Sequence, residues 1–274
     1  MRGPRWPTYA ACLRAALDAG YRVVSLESWL GEQCESRERT VVLRHDVDAD
    51  AAGARRMSDI ERDLGLCSTF YFRWSTLDLR VVESVRRNGS HIGFHYETLT
   101  RYALEQHLSS PAAITEDVLE ASRRILKEEI ARFRDLVGEC RSVAAHGDLR
   151  ARLIGRTNDC LLAGERYSDY GILYSADDPS VLNHVDGWVA DDDGSDGYRR
   201  AGVRFQQALE GRHAVLLFNS HPNHWGAGLP LLAKRLLTNV DFVLRRPAIR
   251  QWGRAEQYAW QRFCLRLPEA RGSR

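Results

Sequence analysis

Apolar residues recur at helical spacing from Thr8 to Ala19, Gly20 ends that stretch, and Tyr21-Arg22-Val23-Val24-Ser25-Leu26 then reads as a short strand. From there the two periods take turns. The pattern predicts strands over 41–46, 68–73 and 91–95, and helices over about 51–64, 78–87 and 112–137. Further apolar runs follow at Ser142 to Ala145, Gly171 to Ser175 and Ala214 to Asn219. Strands alternating with helices predict an α/β fold built on a parallel sheet. Beyond Arg245 the chain is rich in arginine and aromatic residues, which predicts a terminal amphipathic helix and a frayed end. With 274 residues and neither an internal repeat nor a low-complexity linker, the expectation is one catalytic domain over 1–274, its core about 20–245.

Several strand candidates end in chemically active residues. Val41-Val42-Leu43 suits a strand buried on both faces, and it runs on into Arg44-His45-Asp46-Val47-Asp48. Strand alternation points Asp46 and Asp48 to one side, about 6 to 7 Å apart. Two carboxylates so close repel unless a cation or a shared proton intervenes, and a metal is the simpler cure. The competing explanation is that one of them caps a helix starting near Ala51, although capping needs only one acid and leaves His45 unexplained. Ser142-Val143-Ala144-Ala145 leads into His146-Gly147-Asp148, and Ala214 to Asn219 leads into Ser220-His221-Pro222. Active sites of parallel α/β proteins lie at the carboxyl ends of strands, so this recurrence argues for an enzyme.

Composition narrows the partners. The formal net charge is +2, and the arginines are scattered among acids, which suggests no nucleic-acid surface and favours a small or sugar-like substrate. The N-terminal Met-Arg-Gly-Pro-Arg-Trp-Pro lacks an apolar signal core, and no window approaches the roughly 20 apolar residues of a membrane span; the expectation is a cytoplasmic protein. The six cysteines form no close pairs, which predicts reduced and mostly buried thiols. Asp191-Asp192-Asp193-Gly194-Ser195-Asp196-Gly197 lacks the ligand ladder of a calcium loop and reads as a solvated surface turn.

His45-Asp46-Val47-Asp48 at one strand end, Gly93-Phe94-His95-Tyr96-Glu97 at another and His221-Pro222 with Trp225 near the last strand together resemble the polysaccharide deacetylases, the NodB-homology carbohydrate esterases. The likeness is closest to the branch whose first motif reads Leu-Arg-His-Asp-Val-Asp. It covers most of the chain and includes the opening helix with Gly20-Tyr21. The resemblance implies a distorted, incomplete (β/α) barrel holding one divalent ion of the zinc class, with metal-activated water hydrolysing an N-acetyl or N-formyl amide on an amino sugar. It also implies Asp46 as general base, Asp48 and His95 as metal ligands and His221 as general acid. Each role suits its residue type: carboxylate and imidazole bind zinc, and a protonated imidazole can serve the departing amine.

The chain departs from that pattern in two places. Where the family has a second histidine four residues beyond His95, this sequence has Leu99. His91 precedes His95 by four, and in an extended strand the two rings start about 13 Å apart, so only a helical turn there would make His91 a ligand. A third ligand then comes from His146, which is favoured, or from Glu97 or water; alternatively His146 only hydrogen-bonds the site. The Arg of the family's third motif is also missing, which leaves Arg44 or His45 to orient Asp46. Tyr96, Trp188 and Trp225 are candidates for stacking on a sugar ring and Asp177 for touching substrate, against the plainer reading of aromatics as core. His107, His184 and His213 read as surface or packing residues. The expected substrate is a small molecule or oligosaccharide bearing an N-acyl amino sugar. The rival readings are C–N hydrolysis of a non-sugar amide, or a carbohydrate-binding protein on the same fold without turnover; oligomeric state has no sequence signature here.

Overall fold

The computed structural model describes residues 4–31, 38–147, 150–191 and 201–226; the predicted helix after Arg245 lies outside them. In chain order the elements are α1 (Trp6–Asp18), β1 (Arg22–Ser25), α2 (Leu26–Gly31), β2 (Thr40–Val47), α3 (Ala51–Asp63), β3 (Thr69–Phe72), α4 (Leu79–Arg87), β4 (His91–Tyr96), α5 (Thr98–Glu105), α6 (Glu116–Val137), β5 (Ser142–Ala145), α7 (Ala151–Ile154), β6 (Tyr174–Ser175), α8 (Pro179–Leu182), β7 (Gly187–Ala190), α9 (Ala201–Glu210), β8 (Val215–Ser220) and α10 (Pro222–Trp225). Helix starts follow local chemistry. Pro7 stands in the first turn of α1, the Asp78 carboxylate receives the Arg80 and Val81 N–H groups at the start of α4, and α6 opens on Glu116 and Asp117 against the helix dipole.

Among the described residues the eight strands are parallel and run in the order β6-β5-β4-β3-β2-β8-β7, with β1 also paired to β2. One edge of β2 is taken by β8 along Thr40 to His45, so β1 and β3 must share the other edge end to end, β1 against Thr40 to Leu43 and β3 against Arg44 to Val47. The path begins at β6 and ends at β7, leaving an incomplete (β/α) barrel, the architecture the motif resemblance implies. Among the described residues no helix is long and apolar enough to cross a membrane.

Strand alternation sorts side chains into two layers. Val41, Leu43, Phe70, Phe72, Phe94 and Val143 face outward into the main core, where Trp74, Phe94 and Phe133 pack with ring centroids 4.9 to 5.7 Å apart. Tyr9 and Leu13 of α1 are fully buried in that same core, so the core begins earlier than residue 20. Val24, Val42, Tyr71, Ala144 and Leu217 face the interior and form a second, smaller cluster. The interior is tight at Gly93, where an added Cβ would stand 2.3 Å from the Tyr71 ring and 2.9 Å from the Ser142 carbonyl oxygen. Gly93→Ala is therefore expected to destabilise the fold by about 1–3 kcal/mol through overpacking, read as a lower urea midpoint at unchanged slope. An unaltered midpoint would mean that β3 and β4 shift apart freely.

Candidate functional site

Strand β2 alternates Val42, Arg44 and Asp46 onto the interior face, and Asp48 follows just past its end, beyond a tight bend in which the Asp48 N–H donates to the Asp46 carbonyl at 3.1 Å. The cap of α3 comes from Asp50, whose carboxylate accepts the Gly53 N–H at 2.9 Å. Neither Asp46 nor Asp48 is spent on capping.

Asp46 is only 4 % exposed and is gripped on both oxygens. Arg44 Nε donates to Oδ1 at 2.9 Å and Nη2 to Oδ2 at 3.0 Å, while Asn219 Nδ2 adds a third bond to Oδ2 at 3.1 Å. Burial works against the charge, but the bidentate guanidinium outweighs it and brings the Asp46 carboxyl down to about 2. Of the two residues proposed to orient Asp46, the structure selects Arg44. His45 points to the opposite face of β2, where Nε2 meets Glu61 Oε1 at 2.8 Å and the Tyr9 hydroxyl donates to the same oxygen at 2.6 Å.

Asp48, His95 and His146 bring ligand-type atoms within 4.8 Å of one another. His95 Nε2 lies 3.3 Å and His146 Nε2 3.6 Å from Asp48 Oδ1, and the two rings stand nearly perpendicular. His95 Nδ1 sits 3.0 Å from the Ala144 carbonyl, a bond that needs the proton on Nδ1 and leaves the Nε2 lone pair facing Asp48. Asp48 Oδ1 itself is buried with no hydrogen-bond partner among the described residues. Burial opposes the Asp48 charge, yet His146, His95 and His221 hold its carboxyl well below the usual range. Burial likewise opposes charge on His95, and Asp46 and Asp48 raise its pKa above the ordinary value, so the pocket draws positive charge. One unsatisfied carboxylate oxygen with two imidazole nitrogens beside it fits a zinc-class cation.

The other ligand candidates stand elsewhere. His91, at the start of β4, has Nδ1 3.1 Å from Glu27 Oε2, at the far end of the strand from His95. Leu99 is fully buried in the main core. Glu97 Oε2 receives Arg73 Nη2 at 2.5 Å and Arg150 Nη2 at 3.2 Å. Burial raises the Glu97 carboxyl, but Arg73, His146 and Arg150 prevail and hold it well below its ordinary range.

His221 lies across the mouth, with Nε2 3.8 Å from Asp48 Oδ2. Its Nδ1 is 2.6 Å from Asp191 Oδ1, and His224 Nδ1 reaches the same oxygen at 2.9 Å. The Asp191 Oδ2 atom accepts from the His221 N–H at 2.7 Å, the Ser220 hydroxyl at 3.1 Å and the Trp225 indole at 3.0 Å. Asp191, His221 and His224 also satisfy a metal-like grouping, but distances of 2.6 and 2.9 Å are hydrogen bonds and five donors already saturate the carboxylate. Burial lowers the His221 pKa, and Asp191 raises it past that effect to about 10. The expectation of a solvated turn is thus corrected at its first residue: Asp191 is fully buried, while residues 192–197 lie outside the described chain. Its signal was present, since Trp188-Val189-Ala190-Asp191 is one more apolar run ending in an acid, hidden by the acids that follow.

The candidates for substrate contact need correction. Tyr96 follows His95 and so faces the opposite side, fully buried in the main core. Trp225 is fully buried and spends its indole N–H on Asp191 and Ser220, offering no ring face to a sugar. Asp177 accepts Arg44 Nη1 on Oδ1 at 2.8 Å and the Ala145 N–H on Oδ2 at 2.6 Å; it braces the guanidinium that holds Asp46. Trp188 alone of the four stays open, 44 % exposed on β7.

No family model matches this sequence, and no curated protein matches it. Among solved structures, a family 4 carbohydrate esterase from Streptomyces lividans in complex with acetate is similar over 73 % of this chain and 88 % of its own, at 18 % identity and a TM-score of 0.39. A likeness of that degree transfers no activity, and the chemistry of this chain rests on its own side chains.

Proposed function

We propose that this protein is a metal-dependent amide hydrolase that removes an N-acetyl or N-formyl group from an amino sugar of a glycan precursor or glycosylated metabolite. The observation that carries the reading is Asp48 Oδ1, buried without a hydrogen-bond partner among the described residues and flanked by His95 Nε2 and His146 Nε2 at 3.3 and 3.6 Å. A zinc-class ion held by Asp48, His95 and His146 would polarise the amide carbonyl and acidify a water molecule.

The chain's own residues then divide the proton work. Asp46, kept ionised and fixed by Arg44 and Asn219, takes the proton from the attacking water. His221, protonated on both nitrogens beside Asp191, delivers a proton from Nε2 to the departing amine, so that the C–N bond breaks to release a neutral amine. Asp46 lies on β2 and His221 just past the end of the adjacent strand β8, its Nε2 3.8 Å from Asp48 Oδ2. The motif resemblance to polysaccharide deacetylases supports the same assignment.

The test is zinc content of protein purified without chelator, measured beside amine release from N-acetylated and N-formylated sugars, nucleotide sugars and glycosylated metabolites. About one ion per chain together with amine release is the expected result. Failure to bind zinc at any loading would overturn the proposal and favour a binding protein, and amine release only from non-sugar amides would reassign the substrate.

A further inference from the structure

We infer that Glu97 is a positioning residue for His146, its carboxylate accepting the Nδ1–H of that ring and so directing Nε2 toward the metal. The inference rests on the reading of Asp48, His95 and His146 as ligands. A neutral imidazole that coordinates through Nε2 carries its proton on Nδ1, and that proton needs an acceptor. His95 has one in the Ala144 carbonyl at 3.0 Å. His146 Nδ1 is buried and makes no hydrogen bond among the described residues, yet Glu97 Oε2 stands 3.5 Å from it.

Glu97 is placed for this task. It lies two residues beyond His95, so it continues the interior face of β4. It precedes α5 without capping it through its side chain, so its carboxylate is not committed to the helix. Arg73 and Arg150 both grip Oε2, and Arg73 Nη1 also donates to the Asp48 carbonyl at 3.2 Å. One arginine thus ties the backbone of one ligand to the residue that orients another. This gives the position two beyond His95 a purpose in a chain whose position four beyond is the core residue Leu99.

The experiment is a double-mutant cycle read as zinc affinity, by chelator competition on the metal-free full chain for wild type, Glu97→Gln, His146→Ala and the double variant. Glu97→Gln is expected to weaken zinc binding by about 10- to 100-fold, the usual effect of losing such a partner, and to have no further effect once His146 is gone. Equal weakening in both backgrounds would overturn the inference while leaving the ligand set intact. Wild-type affinity in His146→Ala would overturn the ligand role of His146 itself, and the inference with it. Nitrogen-15 NMR of the wild-type zinc form gives a reading that needs no variant to fold: Nδ1–H on His146 is expected, and a proton on Nε2 would refute the idea.

Discussion

Asp46→Asn is expected to lower kcat by about 10²- to 10⁴-fold, the usual worth of a positioned general base, with zinc content near that of the wild type. The carboxylate is nearly isosteric with the amide, so the change removes basicity more than shape. It also alters the donor count. Arg44 offers two N–H groups and Asn219 a third to the two Asp46 oxygens, and an amide nitrogen at either position would face a donor. The variant therefore loses some stability, and kcat must be taken on protein shown to be folded by circular dichroism. Zinc content separates the roles: loss of turnover with the ion retained identifies a base, whereas loss of both would make Asp46 part of the ligand set. Undiminished turnover would sink the mechanism.

The parts of this molecule that were legible in the sequence are those whose signal is local. Period-2 alternation in Thr40–Val47 sets Asp46 on the interior face because every second side chain of a strand shares a side, and the apolar runs around it mark the sheet. Helix α5 was not legible: Thr98-Leu99-Thr100 reads poorly as a helix, and it is held from outside by Glu129 of α6, which accepts from Thr98 Oγ1, Arg101 Nη1 and Trp74 Nε1. The short strand β7 and the Asp191 that follows it were obscured by the acidic run, since a carboxylate reads as solvated until five donors from Ser220, His221, His224 and Trp225 are seen around it. Tyr96 and Trp225 show the converse. Aromatic residues beside site residues look like substrate platforms, but one step along a strand reverses the face, and the buried indole of Trp225 is committed to a hydrogen bond. The Asp46–Arg44–Asp177 chain joins residues 133 apart and has no local signature.

In Asp191→Asn the high-pH limb of the kcat/KM profile is expected to move down by several pH units, with activity at pH 8 reduced by about 30-fold or more. An acid works in its protonated form, so the rate falls as pH rises through its pKa. Burial lowers the His221 pKa, while Asp191 is the largest of the influences that raise it, to about 10. Asp48 and Asp46 contribute less, and the proposed cation beside Asp48 would offset them. With the Asp191 charge gone burial prevails, and His221 drops toward or below the ordinary value of about 6.5. Stability follows the same sign. A folded pKa raised above the unfolded one gives stabilisation that is complete below about pH 6.5 and disappears as pH climbs through about 10, so the wild-type Tm should decline across that interval and the variant's should be flatter. For Asp191 the direction is opposite: its folded carboxyl is depressed, burial being outweighed by His221 and His224, so its contribution is present above about pH 4 and is lost in acid. A rate profile recorded from pH 5 to 10.5 on both proteins, with Tm at each point, decides the matter. A high-pH limb unmoved by the substitution would remove His221 as the acid, while a shifted limb with an unchanged Tm slope would locate the titrating group outside the Asp191 pair.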